Sequence, residues 1–271
     1  MRPQRDRIRQ DPGFNNRILS TICPSLALQL WTVRAQIQND YAGTLHTLAK
    51  LGFTAIEPFA LLGLSAYQLR SLADDLGMQI PGMHFGYERL RNNIEAAVGE
   101  ALQLGCKYIV CAGIPACQTL NEWHAAAREL NIIGQVCSAR GLQLVYHNEY
   151  DFAPLGEICG FEALFNRLDP SLVQFELDVF CAAASGGDPV AWLNRIAGKL
   201  PLVHLENRTL GSDPPTASTW LGEGDLSITA IVQAAKKSGA QWLIVEHDKA
   251  LADPFLSATY SLTYLLEIVK E

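Results

Sequence analysis

One pattern recurs along this chain and constrains its fold more than any other feature: an amphipathic helical stretch, a glycine, then a short apolar run rich in β-formers. The glycines are Gly52, Gly77, Gly105, Gly141, Gly198 and Gly239, each followed by such a run, as in Gly239 before Ala-Gln-Trp-Leu-Ile-Val. A glycine just past a helix supplies the left-handed residue that closes its last turn, so each position reads as a helix-to-strand switch. Helix starts are legible as well. Ser65 with Gln68 and Thr119 with Glu122 fit capping boxes, and Asp188-Pro189 and Asp253-Pro254 place an N-cap acid before a first-turn proline. The stripes Leu69, Leu72, Leu76 and Ile94, Val98, Leu102 follow the helical period.

Strands are expected at Leu26–Trp31, Thr54–Pro58, Met78–His84, Lys107–Ala112, Leu142–His147, Leu172–Asp178, Pro201–Glu206 and Gln241–Glu246. Eight apolar runs alternating with helices imply parallel strands covered on both faces, and therefore an α/β chain forming a single (β/α)8 barrel of the TIM type. No G-x-G-x-x-G follows the first strand, which disfavours a dinucleotide fold. No linker interrupts residues 24–271, which read as one barrel domain. Residues 1–23 read as a short N-terminal extension.

That extension holds five arginines against two acids, leaving 16 basic against 26 acidic residues in the remainder. An acidic body repels phosphate backbones and anionic membrane surfaces, so no nucleic acid and no membrane is expected as partner. No apolar run approaches the ~20 residues of a bilayer span. Seven cysteines, odd in number and without a C-x-x-C pair, fit a reduced, cytoplasmic setting. The expected partner is a small sugar-like molecule, and a homo-oligomer is compatible with all of this.

In such barrels the reactive groups project from the C-terminal strand ends. Those ends carry Trp31, Glu57, His84, Cys111, the run His147-Asn148-Glu149-Tyr150-Asp151, Asp178, His204 and Glu246. A lone strand-end histidine is usually structural and a lone carboxylate usually solvated, but several carboxylates around one mouth repel each other unless a cation neutralises them. Strand alternation puts Glu246 with Asp248 and turns His247 away; it puts Asp178 with Glu176, and His204 with Glu206. An oxygen-rich set with one imidazole suits one divalent ion, manganese, magnesium or cobalt, with zinc a further candidate. Cys181, with nothing to pair it, reads as packing.

At these residues the chain resembles the xylose isomerase-like barrel superfamily, in particular its sugar phosphate isomerase/epimerase family. The likeness runs from about Leu26 to Leu265. It is carried by Gln29-Leu30-Trp31, Ile56-Glu57-Pro58, Pro81-Gly82-Met83-His84, Tyr146-His147-Asn148, Glu176-Leu177-Asp178 with Gly187-Asp188-Pro189, Val203-His204-Leu205, Leu221-Gly222-Glu223-Gly224-Asp225 and Val245-Glu246-His247-Asp248. The resemblance implies a metal held by a glutamate on strand 5, then an aspartate, a histidine and a glutamate on the next three strands. The last three carry over to Asp178, His204 and Glu246. For the first we choose Glu149, which shares a strand face with His147 and has the longer reach, with His147 and Asp151 behind it.

The resemblance further implies a metal-dependent enzyme that isomerises or epimerises a ketose or related polyol through an enediolate. Glu149 and Glu246 would be acid and base; Trp31, Glu57, His84 and Arg208 would bind substrate, with Phe59 beside Trp31 as an apolar wall. The alternatives are a dehydratase of a keto-inositol-like substrate and a non-catalytic sugar-binding barrel. A repair endonuclease of the same superfamily needs more histidines than the six present and a basic face. One departure bears on activity: where relatives often read Leu-Lys-Asp after the strand-7 histidine, this chain reads Leu205-Glu206-Asn207-Arg208.

Overall fold

The computed structural model describes residues 24–115, 117–208, 219–248 and 253–270; the N-terminal extension lies outside them. Eight strands form one parallel sheet: β1 (Ser25–Gln29), β2 (Ile56–Glu57), β3 (Gly82–Gly86), β4 (Tyr108–Ala112), β5 (Gln143–His147), β6 (Val173–Asp178), β7 (Leu202–Leu205) and β8 (Trp242–Val245). Chain order is spatial order, with β1 paired to β8 and the ends β2 and β3 meeting at a single parallel bridge, Ala55 to Gln79. The expected barrel therefore forms. Its weakest seam is where Pro58 and Pro81 stand: proline has no amide to donate, so these two strands come out shorter than their apolar runs suggest.

A principal helix follows each strand: α1 (Tyr41–Lys50), α2 (Ala66–Asp75), α3 (Tyr87–Leu104), α4 (Leu120–Ala139), α5 (Gly160–Phe165), α6 (Pro189–Arg195), α7 (Ile228–Ser238) and α8 (Pro254–Ile268). Both capping boxes form, and Asp188 and Asp253 cap the helices whose first residue is proline. All six punctuating glycines have positive φ, between 66° and 101°. Helix α3 breaks at Asn93, whose backbone leaves the helical region. A two-stranded hairpin, Pro154–Leu155 with Ile158–Cys159, decorates the connection from β5 to α5.

The apolar side chains divide into two cores. The larger lies between sheet and helices and includes Leu28, Ile56, Phe85, Ile109, Leu144, Phe175 and Val203. The smaller fills the barrel's lower interior with Ala27, Ala55, Tyr108, Val110, Val145, Leu202 and Ile244. Tyr108 closes the base, its hydroxyl donating to Gln241 Oε1 at 2.9 Å. That apolar plug leaves polar side chains only the upper interior.

Candidate metal centre

Two residues beyond most members of the apolar plug, on the same strand face, stands a polar group. Ala27 is followed by Gln29, Ala55 by Glu57, Val145 by His147, Leu202 by His204 and Ile244 by Glu246. β6 contributes two such groups, Glu176 and Asp178, and β3 contributes His84. Register brings them together: His147 lies opposite Glu176, Asp178 opposite His204, and His204 opposite Ile244.

The result is a compact network. His204 is fully buried with a carboxylate at each ring nitrogen, Glu246 Oε2 2.7 Å from Nδ1 and Glu57 Oε2 2.7 Å from Nε2. His147 Nδ1 faces Glu176 Oε2 at 3.2 Å. His84 Nε2 lies between two acids, 3.0 Å from Glu176 Oε2 and 3.1 Å from Glu57 Oε2. Gln29 Nε2 donates to Glu57 Oε2 at 3.0 Å. Glu57 Oε1 and Glu176 Oε1 are buried without a hydrogen-bond partner.

Charge in this network has to be balanced locally. Burial pushes His84 down, but Glu57 and Glu176 outweigh it and raise the imidazole to about 10. Burial likewise opposes charge on His204, yet Glu176 and Glu246 hold it well above the usual histidine range. Burial would raise Glu246, and the facing His204 brings it to about 2. Asp178 is raised, first by burial. The chain's own balance thus relies on protons held between imidazoles and carboxylates.

A metal ion fits the same balance. With the His204 proton on Nε2 toward Glu57, Nδ1 presents a lone pair to Glu246 Oε2, and two acceptors 2.7 Å apart require a cation beside them. A proton of His147 on Nδ1 toward Glu176 leaves its Nε2 free in the same way. His147, Asp178, His204 and Glu246 each offer a ligand atom, all within 4.8 Å of one another. Bonds of about 2.0–2.2 Å put opposite ligands up to about 4.4 Å apart, so a closure of at most about 0.4 Å lets the four hold one ion. A second group, His84, His147, Glu176 and His204, overlaps it and shares both imidazoles.

Above the centre opens a cavity of about 360 Å³. Of the residues expected from sequence, Trp31, His84, Glu149, Asp178, Arg208 and Glu246 line it, together with Phe59. Glu57, expected among substrate contacts, is fully buried beneath it against His204 and His84. Glu149 stands on the wall, its Cγ 2.8 Å from where a side chain on Gly113 would begin, and is outside both four-residue groups. Asp151 turns outward and accepts from the Tyr146 hydroxyl at 2.6 Å. Asn148 ties the ends of β5 and β6, donating to the Asp178 carbonyl at 3.2 Å and accepting its amide at 2.9 Å. His247 faces away from the cavity, 3.2 Å from Ser261 Oγ, as alternation requires.

Sequence reasoning gives no role to Glu176 and Glu206. Both are visible as same-face neighbours of Asp178 and His204, and attention to strand ends alone hides them. Cys181 does reach the cavity; burial pushes its thiol well above the ordinary range, and the residue's backbone amide donates to Asp178 Oδ1 at 2.6 Å.

Residues 45–264 match the family described as the xylose isomerase-like TIM barrel. The chain belongs to that family. The inosose dehydratase of Geobacillus kaustophilus is 26% identical over 267 residues, covering 83% of this chain and 86% of that one. A sugar phosphate isomerase/epimerase from Parabacteroides distasonis superimposes with a TM-score of 0.76 at 21% identity, over 89% of this chain and 93% of that one. The IolI protein, solved with a zinc atom, superimposes at 0.71 with 16% identity, over 91% and 98%. Among the described residues no helix is long and apolar enough to cross a membrane.

Proposed function

We propose that this xylose isomerase-like barrel is a metal-dependent enzyme that moves a proton at the carbon beside a carbonyl in a ketose or related polyol. The observation that carries the proposal is the convergence of His147, Asp178, His204 and Glu246 on the floor of a cavity whose wall bears a further carboxylate, Glu149. These four are the proposed ligands, with His147 in the strand-5 place that the sequence alone assigns first to Glu149. Two imidazoles and two carboxylates suit manganese, cobalt or zinc better than magnesium, which prefers an all-oxygen shell.

A bound divalent ion supplies Lewis acidity that polarises a substrate carbonyl. The chain's residues do the rest. Glu57 and Glu176 fix the two ligand imidazoles from below. Glu149 and Glu246, just past the ends of β5 and β8 at the mouth, stand as base and acid toward the reacting carbon. His84, pinned at Nε2, has its other nitrogen left to offer substrate. Trp31 and Phe59, whose rings meet edge to face at 4.9 Å, exclude water on one side.

Return of the proton gives isomerisation or epimerisation. Loss of a β-hydroxyl instead gives dehydration, a second reading favoured by the similarity to the inosose dehydratase. The test is solvent exchange: the metal-loaded protein is incubated with ketoses and inososes in deuterium oxide. Deuterium should appear at the carbon next to the carbonyl, vanish with chelator and return on reloading. Glu246→Gln should abolish exchange without altering the circular dichroism spectrum. Release of water with enone absorbance selects the dehydratase; sugar binding without exchange or turnover leaves a binding protein and ends the enzymatic reading.

A further inference from the structure

The charge on the cavity wall separates two kinds of substrate that the reaction type leaves together. Carboxylates of Glu149, Asp178, Glu206, Glu246 and Asp248 face the cavity, while the sole guanidinium or ammonium on its wall among the described residues is Arg208. That cation is already engaged. Its Nη2 donates to Glu206 Oε2 at 2.6 Å and to Asp248 Oδ2 at 3.1 Å, and Glu206 Oε1 accepts the Asp248 amide at 2.7 Å. Among the described residues the wall therefore offers a phosphate ester or a carboxylate no unengaged guanidinium or ammonium and meets it with several carboxylates, which disfavours both.

Arg208 still has something to give. It is 1% exposed, lies over the Phe180 ring at 4.5 Å, and its Nε and Nη1 are buried with no hydrogen-bond partner. A buried donor left unpaired in a cavity wall is a place for a ligand oxygen. With its charge cancelled by two acids, this guanidinium offers hydrogen bonds to hydroxyl or carbonyl oxygens and little net attraction to an anion. Asp248 also accepts the Trp31 indole N–H at 2.9 Å, and its carbonyl accepts from Arg34 Nη2 at 2.7 Å. One carboxylate thus fixes both the aromatic face of Trp31 and the donors of Arg208. An aromatic face beside hydrogen-bond donors matches a ring with C–H bonds on one side and hydroxyls around it.

We infer that the cavity takes an uncharged keto-polyol ring and rejects its phosphorylated or carboxylated counterparts, and that Asp248 sets this preference by cancelling the Arg208 charge while holding Trp31 in place. The inference deepens the proposed reaction and rests on it for the carbonyl, but it is tested by binding. Calorimetry on the metal-loaded protein should compare an inosose, a ketohexose, the phosphate ester of that ketohexose and inorganic phosphate. The uncharged ligands should bind at least about tenfold more tightly than the ester. Asp248→Asn, which keeps an acceptor for Trp31 but loses the charge, should shrink that ratio by about tenfold. Glu206→Gln tests the same cancellation should Asp248→Asn not fold.

Tighter binding of the ester to the unaltered protein overturns the inference, as does a ratio unmoved in both variants. Deuterium exchange on the same samples keeps the two claims apart. Exchange confined to the phosphate ester sinks this inference and spares the reaction, whereas tight binding of uncharged ketoses without exchange does the reverse.

Discussion

Glu57 and Glu176 show how much of this site lies beneath its visible surface. Neither carboxylate reaches the cavity, yet each faces a ring nitrogen of a proposed ligand, Glu57 at His204 Nε2 and Glu176 at His147 Nδ1. Removing such a partner costs metal affinity. Glu176→Gln should weaken divalent-ion binding about 10–100-fold in competition with a chelating dye, and, because it leaves buried imidazoles without their carboxylate, it should also lower the unfolding midpoint of the metal-free protein. Unchanged affinity would contradict the assigned tautomers. His247, on the opposite strand face, gives a pH signature. Burial lowers its imidazole from 6.5 to about 4, so between those values the unfolded chain binds the proton and the folded chain does not. The stability that His247 contributes should therefore rise with pH across that window and be complete above 6.5. Burial raises Asp151 to about 6 and Glu206 to about 7, and both act in the opposite sense, so the readout is a difference: in chelator, the stability of the unaltered protein minus that of His247→Gln should increase with pH across the window. At this scale the sequence is legible wherever alternation decides the answer, as in turning His247 away. It is not legible between His147 and Glu149, which alternation assigns to the same face. Gly113 leaves room for the Glu149 side chain on the cavity wall, while His147, the last residue of its strand, is the one grouped with Asp178, His204 and Glu246, and is proposed as the ligand for that reason.

At the scale of elements, local chemistry explains both the hits and the misses. The helix starts at Ser65, Thr119, Asp188 and Asp253 are readable because a cap is satisfied within a few residues. The seam between β2 and β3 is not, because strand length depends on a partner's amides and two prolines withhold theirs. The break at Asn93 leaves no mark in the periodicity of α3. Packing of α4 against the loop before β6 supplies a test in which two effects oppose each other. Gly134 sits inside that helix, where alanine is favoured by about 1 kcal/mol, but a Cβ there would lie 2.7 Å from the Leu172 carbonyl oxygen. Because the obstacle is backbone, overpacking at about 1–3 kcal/mol should win, and Gly134→Ala should lower the thermal midpoint. A raised midpoint would show that α4 can shift outward freely.

For the whole molecule, the (β/α)8 architecture separates stability from chemistry along one axis. The lower barrel is plugged by Tyr108 and its apolar neighbours, and the upper barrel concentrates acids and imidazoles, four of which are the proposed ligands of one cation. Metal should therefore stabilise the fold: at about 100 times the dissociation constant, binding adds about 2.7 kcal/mol to the unfolding free energy. Asp178→Asn should lose most of that increment in a thermal melt at matched metal concentration. The order of strands is legible in the amino-acid sequence because the repeat fixes topology and topology fixes which strand ends converge; three of the four proposed ligands, Asp178, His204 and Glu246, are picked out among those ends by the family resemblance. The central claim is that His147, Asp178, His204 and Glu246 share one ion. Anomalous diffraction from a manganese-loaded crystal tests it most directly. The account predicts a single strong peak about 2.0–2.3 Å from one atom of each of these four residues. A peak coordinated elsewhere, or none at saturating manganese, would contradict it.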